Sequence, residues 1–560
     1  MNVGVVRHRR DARHADQIPR HCETIVSMNA NPDALPTDIR GYHARTKHAS
    51  TRYALGPAFL DWTSQPSPYR RFEGAQLIEL PLSDGPTPSF PGPAPAAATL
   101  DLSSLGLFLE LAFGLSAWKS VEGATWAVRN NPSSGNLHPT EAYLLLNALP
   151  GDAAAGLFHY APMAHGLEER ARYEAAQVFP DGGFLVALSA IPWRESWKYG
   201  ERAYRYCQLD AGHAIGAVAQ AAAALGWRAE ALTPPSDDDI GALIGLDRAD
   251  AFHRREEEHA DLLLWIATDG AASPALDTKS LLEAPRCFLG VANRLSEDHD
   301  GWPVVDRALR LCFKPMTAGL APSAAHPAQP FAGPSIGDVV RARRSVQRMD
   351  GEATLSLDAF RRICAATLPG AAPLLSAFPW PPRLTLLFYV HRVQGLEPGL
   401  YLLARQDDAV ARLRQAFSPD FAWAATGLTS LPLFRLRAGA VEREATRASC
   451  LQPIAGKGCF AVAMIADFER TLTEDGPHAY RRLHWEAGLI GQALYLWATA
   501  VGMAGAGIGC FFDDEVHAFI GLAPGDMQFQ DVYHFTVGGA VEDPRILTLP
   551  PYPDERRLKP

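Results

Sequence analysis

At 560 residues the chain is too long for one hydrophobic core and implies two to four domains of about 100–200 residues each. With 47% apolar and 20% charged residues it has a soluble globular composition, not a disordered, collagenous or coiled-coil one. A net charge of −10, from 62 acidic and 52 basic side chains, argues against a nucleic acid or an anionic membrane surface as partner.

The first 27 residues carry Arg7, Arg9, Arg10, Arg13 and Arg20 but no apolar run, so they are not a secretory signal. Residues 1–38 are expected to be a disordered tail, with Met28 an alternative start. Eight sparse cysteines without a C-x-x-C pair indicate neither a disulfide framework nor a zinc ribbon, and fit a reducing, cytoplasmic setting.

A first domain is expected over 39–300, with a Pro-rich surface loop at Gly85–Pro95. The turn-rich segment Arg129-Asn-Asn-Pro132-Ser133-Ser134-Gly135-Asn136-Leu-His138-Pro139-Thr-Glu141 leads into an apolar strand, Ala142–Leu146. Its hydroxyls and amide either hydrogen-bond a heteroaromatic edge or form a plain Pro-Ser-Gly-Asn turn. A long helix rich in small residues follows at about 203–226, and then a strand at Asp261–Ala267. The cluster His253-Arg-Arg-Glu-Glu-Glu-His259 matches no familiar metal-ligand spacing and reads as a solvated charged face.

Residues 301–335 read as a linker, because Thr317–Ser335 is rich in Pro and Ala and has no period. A second domain, 336–560, opens on Arg341-Ala-Arg343-Arg344-Ser345-Val-Gln347-Arg348, ahead of a helix at Leu357–Cys364. Guanidinium forks beside a hydroxyl suit a phosphate; the alternative is a solvated basic helix end. A strand at Leu384–His391 and a small-residue helix at about 479–502 follow, then Gly505-Ala-Gly507-Ile508-Gly509-Cys-Phe and a strand at Val532–Val537. The glycine segment comes after a helix, not before one, so it is no dinucleotide fingerprint. It either lets backbone N–H groups approach a ring system or is a structural turn. The uncharged run Leu489–Phe512 is long enough to span a bilayer, but a buried helix running into glycines accounts for it.

The two halves repeat at an offset of 276. Ala203-Tyr-Arg-Tyr-Cys-Gln-Leu-Asp-Ala-Gly212 lies over Ala479-Tyr-Arg-Arg-Leu-His-Trp-Glu-Ala-Gly488, and Asp237–Leu246 over Asp513–Leu522 without a gap. Two copies of one α+β fold, joined as an intrachain pseudo-dimer, are expected; the protein is then a monomer.

The opening Arg-Arg-Ser, the Pro-Ser loop and the helix ending in glycines resemble the FMN-dependent nitroreductase superfamily. Lys198-Tyr199-Gly-Glu-Arg-Ala-Tyr204-Arg-Tyr-Cys-Gln-Leu-Asp210-Ala-Gly-His213 is similar to its SagB-type, thiazole/oxazole-forming dehydrogenase branch. The resemblance implies an antiparallel or mixed sheet flanked by helices in each copy. It also implies FMN between the copies, held by Arg343, Arg344, Ser345, Gln347, Gly505, Gly507, Ile508, Gly509 and Arg545 of copy two and by Pro132, Ser133, Ser134, Gly135 and Asn136 of copy one. Lys198 and Tyr199 would then remove a proton as hydride leaves a small heterocycle or peptide-borne azoline. An NAD(P)H-fed nitro- or quinone reductase and a flavin-free scaffold are the alternatives.

The second, mirror-related site is expected to be closed. The 276 offset puts Arg228-Ala-Glu-Ala-Leu-Thr-Pro-Pro-Ser236 where the glycines stand, and Ser376-Ala-Phe-Pro-Trp380-Pro-Pro replaces the Pro-Ser loop. Arg45-Thr46-Lys47 is the nearest match in copy one to Arg-x-Ser.

Overall fold

The computed structural model describes residues 34–558 apart from 84, 93, 150, 152, 270–273, 275, 327–330, 407 and 554–556. All but the last five residues of the expected N-terminal tail, 1–38, therefore lie outside the described residues.

The first half contains α1 (Ile39–Arg45), α2 (Leu102–Phe113) and a hairpin, β1 (Leu115–Val121) and β2 (Ala124–Arg129). Next come β3 (Thr140–Leu146), β4 (Gly156–Ala161), β5 (Gly166–Tyr173), β6 (Gly183–Ala190), α3 (Pro192–Tyr199), α4 (Ala203–Ala224), β7 (Arg228–Leu232), α5 (Asp237–Ile244) and β8 (His259–Ala267). The second half contains α6 (Ile336–Ala342), α7 (Leu357–Ala366), β9 (Leu384–Val390), β10 (Gly399–Leu403), β11 (Leu433–Ala438), β12 (Phe460–Asp467), α8 (Ala479–Ala500), β13 (Ala504–Ile508), α9 (Asp513–Ile520), β14 (Phe529–Gly538) and β15 (Leu547–Leu549).

Each half builds one antiparallel sheet, and the strand orders correspond: β7-β8-β6-β3-β4-β5 in the first and β13-β14-β12-β9-β10-β11 in the second. The central strands are buried on both faces, so they read as apolar runs. Their side chains still alternate. In β6, Phe184, Val186 and Leu188 join the apolar core around the long helices, while Leu185 and Ala187 face an outer cluster that includes Ile240 and Leu243 of α5. Leu386 and Phe388 of β9 face that same inner core, and Leu387 and Tyr389 face the cluster under α9. One continuous core thus runs through both halves, the physical basis of an intrachain pair.

Chain segments also cross between the halves. Strand β15 of the second half pairs with β1 of the first, and Leu547 lies opposite Ser120. The Pro-rich loop at 85–95 is irregular as expected but is not merely superficial. Phe90 is buried against Trp497 of α8, and Ser89 bridges to Ser335. The expected linker begins with a helix, Pro303–Leu311, whose apolar face is buried. No helix among the described residues is long and apolar enough to cross a membrane, and the run Leu489–Phe512 is the end of α8 continuing through β13.

Candidate functional site

The halves meet along α4 and α8. These helices cross at Gly212 and Gly488, residues related by the 276 offset. A Cβ on Gly212 would overlap the Trp485 carbonyl, and one on Gly488 the Leu209 carbonyl, so only glycine permits this backbone approach. Ion pairs flank the crossing with the same symmetry. Arg205 Nη1 is 2.7 Å from Asp513 Oδ1, and Arg481 Nη2 is 2.8 Å from Asp237 Oδ1.

On one side of this seam the structure brings the sequence-predicted segments together. Ser345 bridges to Gly505, and Val346 N donates to the Gly505 carbonyl at 3.2 Å. Residues 504–508 form a strand, β13, paired with β14, where a turn is one of the two expected readings, and Gly509 follows it. Being the edge strand of its sheet, β13 leaves one row of backbone groups without a neighbouring strand. Tyr495 of α8 ties the segments together: its hydroxyl lies 2.8 Å from Ser345 Oγ and accepts from Gly507 N at 2.8 Å. The absent side chains of Gly507 and Gly509 leave room for rings, since a Cβ at Gly507 would strike the Tyr533 hydroxyl and one at Gly509 the Tyr206 ring.

Arg343 crosses the seam. Its Nε and Nη2 donate to the carbonyls of Asn130 and Arg129 at 3.0 and 2.9 Å, fixing the entry to the Pro-Ser loop. Its guanidinium lies over the Tyr495 ring, 5.1 Å from the centroid, and its Nη1 is buried with no hydrogen-bond partner. Desolvation pulls its pKa down to about 10, so the cation is unusually receptive to an anion. Arg344 donates to the carbonyls of Arg341, Arg343 and Ser116. Two guanidiniums expected to face a phosphate are thus largely engaged by backbone, and Arg343 Nη1 is left over. Ser345 and Gln347 are exposed. Arg545 sits in an exposed turn, gripped by both carboxylate oxygens of Asp543 at 3.0 and 2.6 Å.

The Pro-Ser loop is pinned from within copy one. Asp210 accepts from Ser134 N and from Ser134 Oγ, each at 3.1 Å; Ser133 Oγ accepts from His138 N; and Asn136 Nδ2 donates to the Ala127 carbonyl at 2.9 Å. Gly135, Asn136 and His138 all take left-handed backbone conformations. Gly135 needs its missing side chain, because a Cβ there would lie 2.6 Å from the Tyr199 hydroxyl. Tyr199 packs on Tyr206 with centroids 4.6 Å apart, and Lys198 Nζ lies 5.6 Å from the Tyr199 centroid. Tyr206 in turn donates to the Gly509 carbonyl at 3.1 Å. Lys198 and Tyr199 therefore stand on the same side as the glycine strand, a point the sequence left open. Burial and the neighbouring Glu195 push the Tyr199 phenol well above its usual pKa, so it is a neutral donor rather than a phenolate.

The Nitroreductase family profile matches residues 119–253 and 340–539, more than half of the chain and part of each half. The chain belongs to the nitroreductase family. A curated protein of Methanocaldococcus jannaschii, assigned by its name to the nitroreductases, is 34% identical over 55 residues; the match spans 10% of this chain and 28% of that protein. Among solved structures, one named as a nitroreductase from Anabaena variabilis aligns over 90% of this chain and 99% of its own, at 21% identity and a TM-score of 0.65. It shares the fold through both halves. A chain of the Escherichia coli microcin synthetase complex aligns over 36% of this chain and 70% of its own, at 14% identity and a TM-score of 0.27.

On the other side of the seam this nitroreductase has the same framework with the space filled. Ala229, Ala231 and Thr233 stand where Gly505, Gly507 and Gly509 stand. The short helical turn Leu375–Ala377 packs directly on β7 and α4. Trp380 packs at a tilt against Phe378 and Trp485, beneath the Arg482 guanidinium. What remains is a cavity of about 10 Å³, room for roughly one water. The expected linker seals this side: Thr317 Oγ1 donates to the Thr233 carbonyl at 2.6 Å, Leu320 N to Thr233 Oγ1 at 2.9 Å and Lys314 Nζ to the Pro235 carbonyl at 2.6 Å. An apolar cavity of about 240 Å³ opens nearby, between α7 and the ends of α4 and α8, but its arginines, Arg361 and Arg362, both bond Asp358. Arg45 and Lys47 form no mirror phosphate site; Arg45 pairs with Glu201 and Lys47 with Asp514.

Two expectations need correction or extension. The segment 253–259 is solvated only in part: Arg254, Arg255 and Glu257 are exposed, but Glu256 and Glu258 are buried beside Arg70, and the Glu256 carboxylate accepts from Leu295 N, Ser296 N and His299. With those partners the His253, Glu256 and His299 cluster is a structural clasp. Sequence reasoning also passed over Asp210, Glu195, Tyr206 and Tyr495. Burial raises the Asp210 pKa to about 7, against the hydrogen bonds from Ser133 and Ser134, and holds the fully buried Glu195 carboxyl well above its usual value. Asp210 stood inside the motif that carried the resemblance; no local signal marked Tyr495.

Proposed function

We propose that this nitroreductase is an FMN-dependent oxidoreductase with one flavin site per chain, and that it dehydrogenates a small heterocycle or a peptide-borne azoline. One observation supports this most: Arg343, Ser345, the glycine strand, the Pro-Ser loop and Tyr199 converge on a single side of the seam. The residues fit an anionic, planar cofactor. Arg343 Nη1 is a buried cation donor without a partner, Ser345 and Gln347 follow it in the chain and are exposed, and β13 is the edge strand of its sheet. Arg343, Arg344, Ser345 and Gln347 would hold the phosphate end, and Gly505, Gly507, Ile508 and Gly509 would lie against the ring, while Arg545, exposed and held by Asp543, is left out of the site. Pro132, Ser133, Ser134, Gly135 and Asn136 would reach the ring from the other copy.

Bound flavin supplies a two-electron acceptor that no side chain provides. Lys198, half-buried against the Tyr199 ring, would take the substrate proton on Nζ in its neutral amine form, and a positioned base contributes roughly 10²–10⁴-fold. Tyr199, kept protonated, donates a hydrogen bond that orients the substrate, while Asp210 holds the Pro-Ser loop in place.

Flavin released by heat and counted against protein tests the site, and one per chain is expected; two per chain, or none, overturns it. The reaction is tested by anaerobic flavin bleaching with a thiazoline peptide. Lys198→Ala should keep its flavin but bleach at least about 100-fold more slowly. Rapid bleaching by NADPH alone, unchanged in that variant, would assign the reverse electron flow.

A further inference from the structure

The exit of β13 carries a pair of thiols that the reaction above does not use. Cys510 follows Gly509, and Cys450 lies in the turn after the helix Glu442–Ala448. Their sulfurs are 2.8 Å apart, closer than unbonded sulfurs ordinarily rest and one small side-chain rotation from a covalent bond of about 2.0 Å. Both are half-buried, while Cys207, Cys312, Cys364 and Cys459 are buried and Cys287 is exposed.

The backbone is arranged to hold this approach. Cys450 and Leu451 are consecutive non-glycine residues in the left-handed region, with φ of 53° and 59°. Such a conformation persists only where its surroundings enforce it. Here Phe512 N donates to the Ala448 carbonyl at 2.7 Å, Gln452 Nε2 to the Cys510 carbonyl at 3.0 Å, and Ser449 Oγ meets His534 Nδ1 at 2.9 Å. The turn at 448–452 is thus tied to 510–512 whether or not the sulfurs are joined.

The Arg202 guanidinium favours a thiolate at either sulfur of the pair, against burial and the Asp513 carboxylate. Arg202 is fixed there by Asp513 at 3.1 Å and by the Gly509 carbonyl at 3.2 Å. The closed side has no equivalent, because the 276 offset puts Pro234 opposite Cys510.

We propose that Cys450 and Cys510 form a redox-active dithiol that converts to an intramolecular disulfide by exchange with a small external disulfide. The Cys510 thiolate attacks one sulfur of the external disulfide and expels the first thiolate. The Cys450 thiolate then attacks Cys510 Sγ in the mixed disulfide and expels the second. The external disulfide gains two electrons and, with the two protons lost by the cysteines, leaves as two thiols. This chemistry requires no flavin and stands apart from the function proposed above. Its consequence for that site is geometric: the cross-link locks the exit of β13, where the Gly509 carbonyl receives Tyr206 and Arg202.

The test uses the full chain, equilibrated across a series of oxidised-to-reduced glutathione ratios, quenched in acid, alkylated and mapped by mass spectrometry. A Cys450–Cys510 cross-linked peptide is expected, with two alkylatable thiols lost and recovered on adding dithiothreitol. Cys450→Ser should stop at a glutathione adduct on Cys510, and Cys510→Ser should give no cross-link. Full alkylation of both cysteines at every ratio, or cross-linking of either to another cysteine, overturns the proposal. If the variants do not fold, the wild-type peptide map decides alone.

Discussion

The two sides of the seam start from one framework and end in different states. Between them, helix α4 corresponds to α8, β7 to β13 and α5 to α9 at a constant offset of 276. The glycine crossing and the Arg-to-Asp pairs obey it too. Around the candidate site the correspondence fails at several residues. Gly509 becomes Thr233, Tyr206 becomes Arg482, Asp210 becomes Glu486 and Cys510 becomes Pro234. Glu486 does not pin a loop through hydroxyls as Asp210 does; it pairs with Arg405 and accepts from Arg383 N. The lesson is physical. Helices whose backbones touch tolerate almost no change, because interiors are packed as densely as crystals. The loops over a sheet edge carry no such constraint, and one set has closed over its own strand.

The largest effect should come from breaking what both sides share. Gly488→Val forces a side chain into the Leu209 carbonyl and should cost about 4 kcal/mol or more, seen as loss of folded protein or a collapse of Tm. Next, Gly509→Val displaces the Tyr206 ring and should lower flavin retention about 100-fold, equivalent to about 2.7 kcal/mol, while Thr233→Val leaves it unchanged. Equal loss from both would mean that the open side was misassigned. Arg343→Ala leaves the buried Arg129 and Asn130 carbonyls without their donor and should cost about 1.5–3 kcal/mol in urea unfolding, together with at least tenfold in flavin retention. Arg45→Ala, which removes the pair with Glu201 and the bond to the Ala34 carbonyl, should leave retention intact.

A smaller, pH-dependent contrast comes from Asp210. Its folded pKa, about 7, lies above the unfolded value of about 3.9, so the folded state binds the proton more tightly. Wild-type stability should therefore fall as pH rises from about 4 to about 7 and level off above that. Asp210→Asn should remove this slope, gaining on the wild type as pH rises from about 4 to about 7, readable from Tm against pH. Parallel curves would show that Asp210 ionises normally. The smallest effect is expected from Arg545→Ala, whose guanidinium is exposed and already paired with Asp543; retention should change by less than about twofold.

Much of the fold was legible because it is periodic. The long helices, the strands at 142–146, 261–267, 384–391 and 532–537, and the repeat all follow from apolar spacing and from small residues in shared register. The segments of the candidate site were legible as chemistry: arginines beside a serine, hydroxyls on a turn, glycines after a helix. Their detailed roles were less so. The fork of Arg343 reads as a phosphate clamp in isolation, yet two of its nitrogens bind carbonyls more than 200 residues away. The charged run at 253–259 looks solvated until Arg70 is seen folded against it.

By itself the sequence determined the pairing of two like halves, since the repeat keeps one register over 203–246 and 479–522 and its long helices are rich in small residues. It also determined which half carries glycines and which carries alanine, threonine and proline. Only the tertiary structure decided that β13 is an edge strand, that Lys198 and Tyr199 stand beside it, that the segment after residue 311 seals the other side, and that Cys450 meets Cys510. Each of these depends on contacts between residues far apart in the chain. Local pattern records what a residue can do, while the packing of distant elements selects which of its possible partners is within reach.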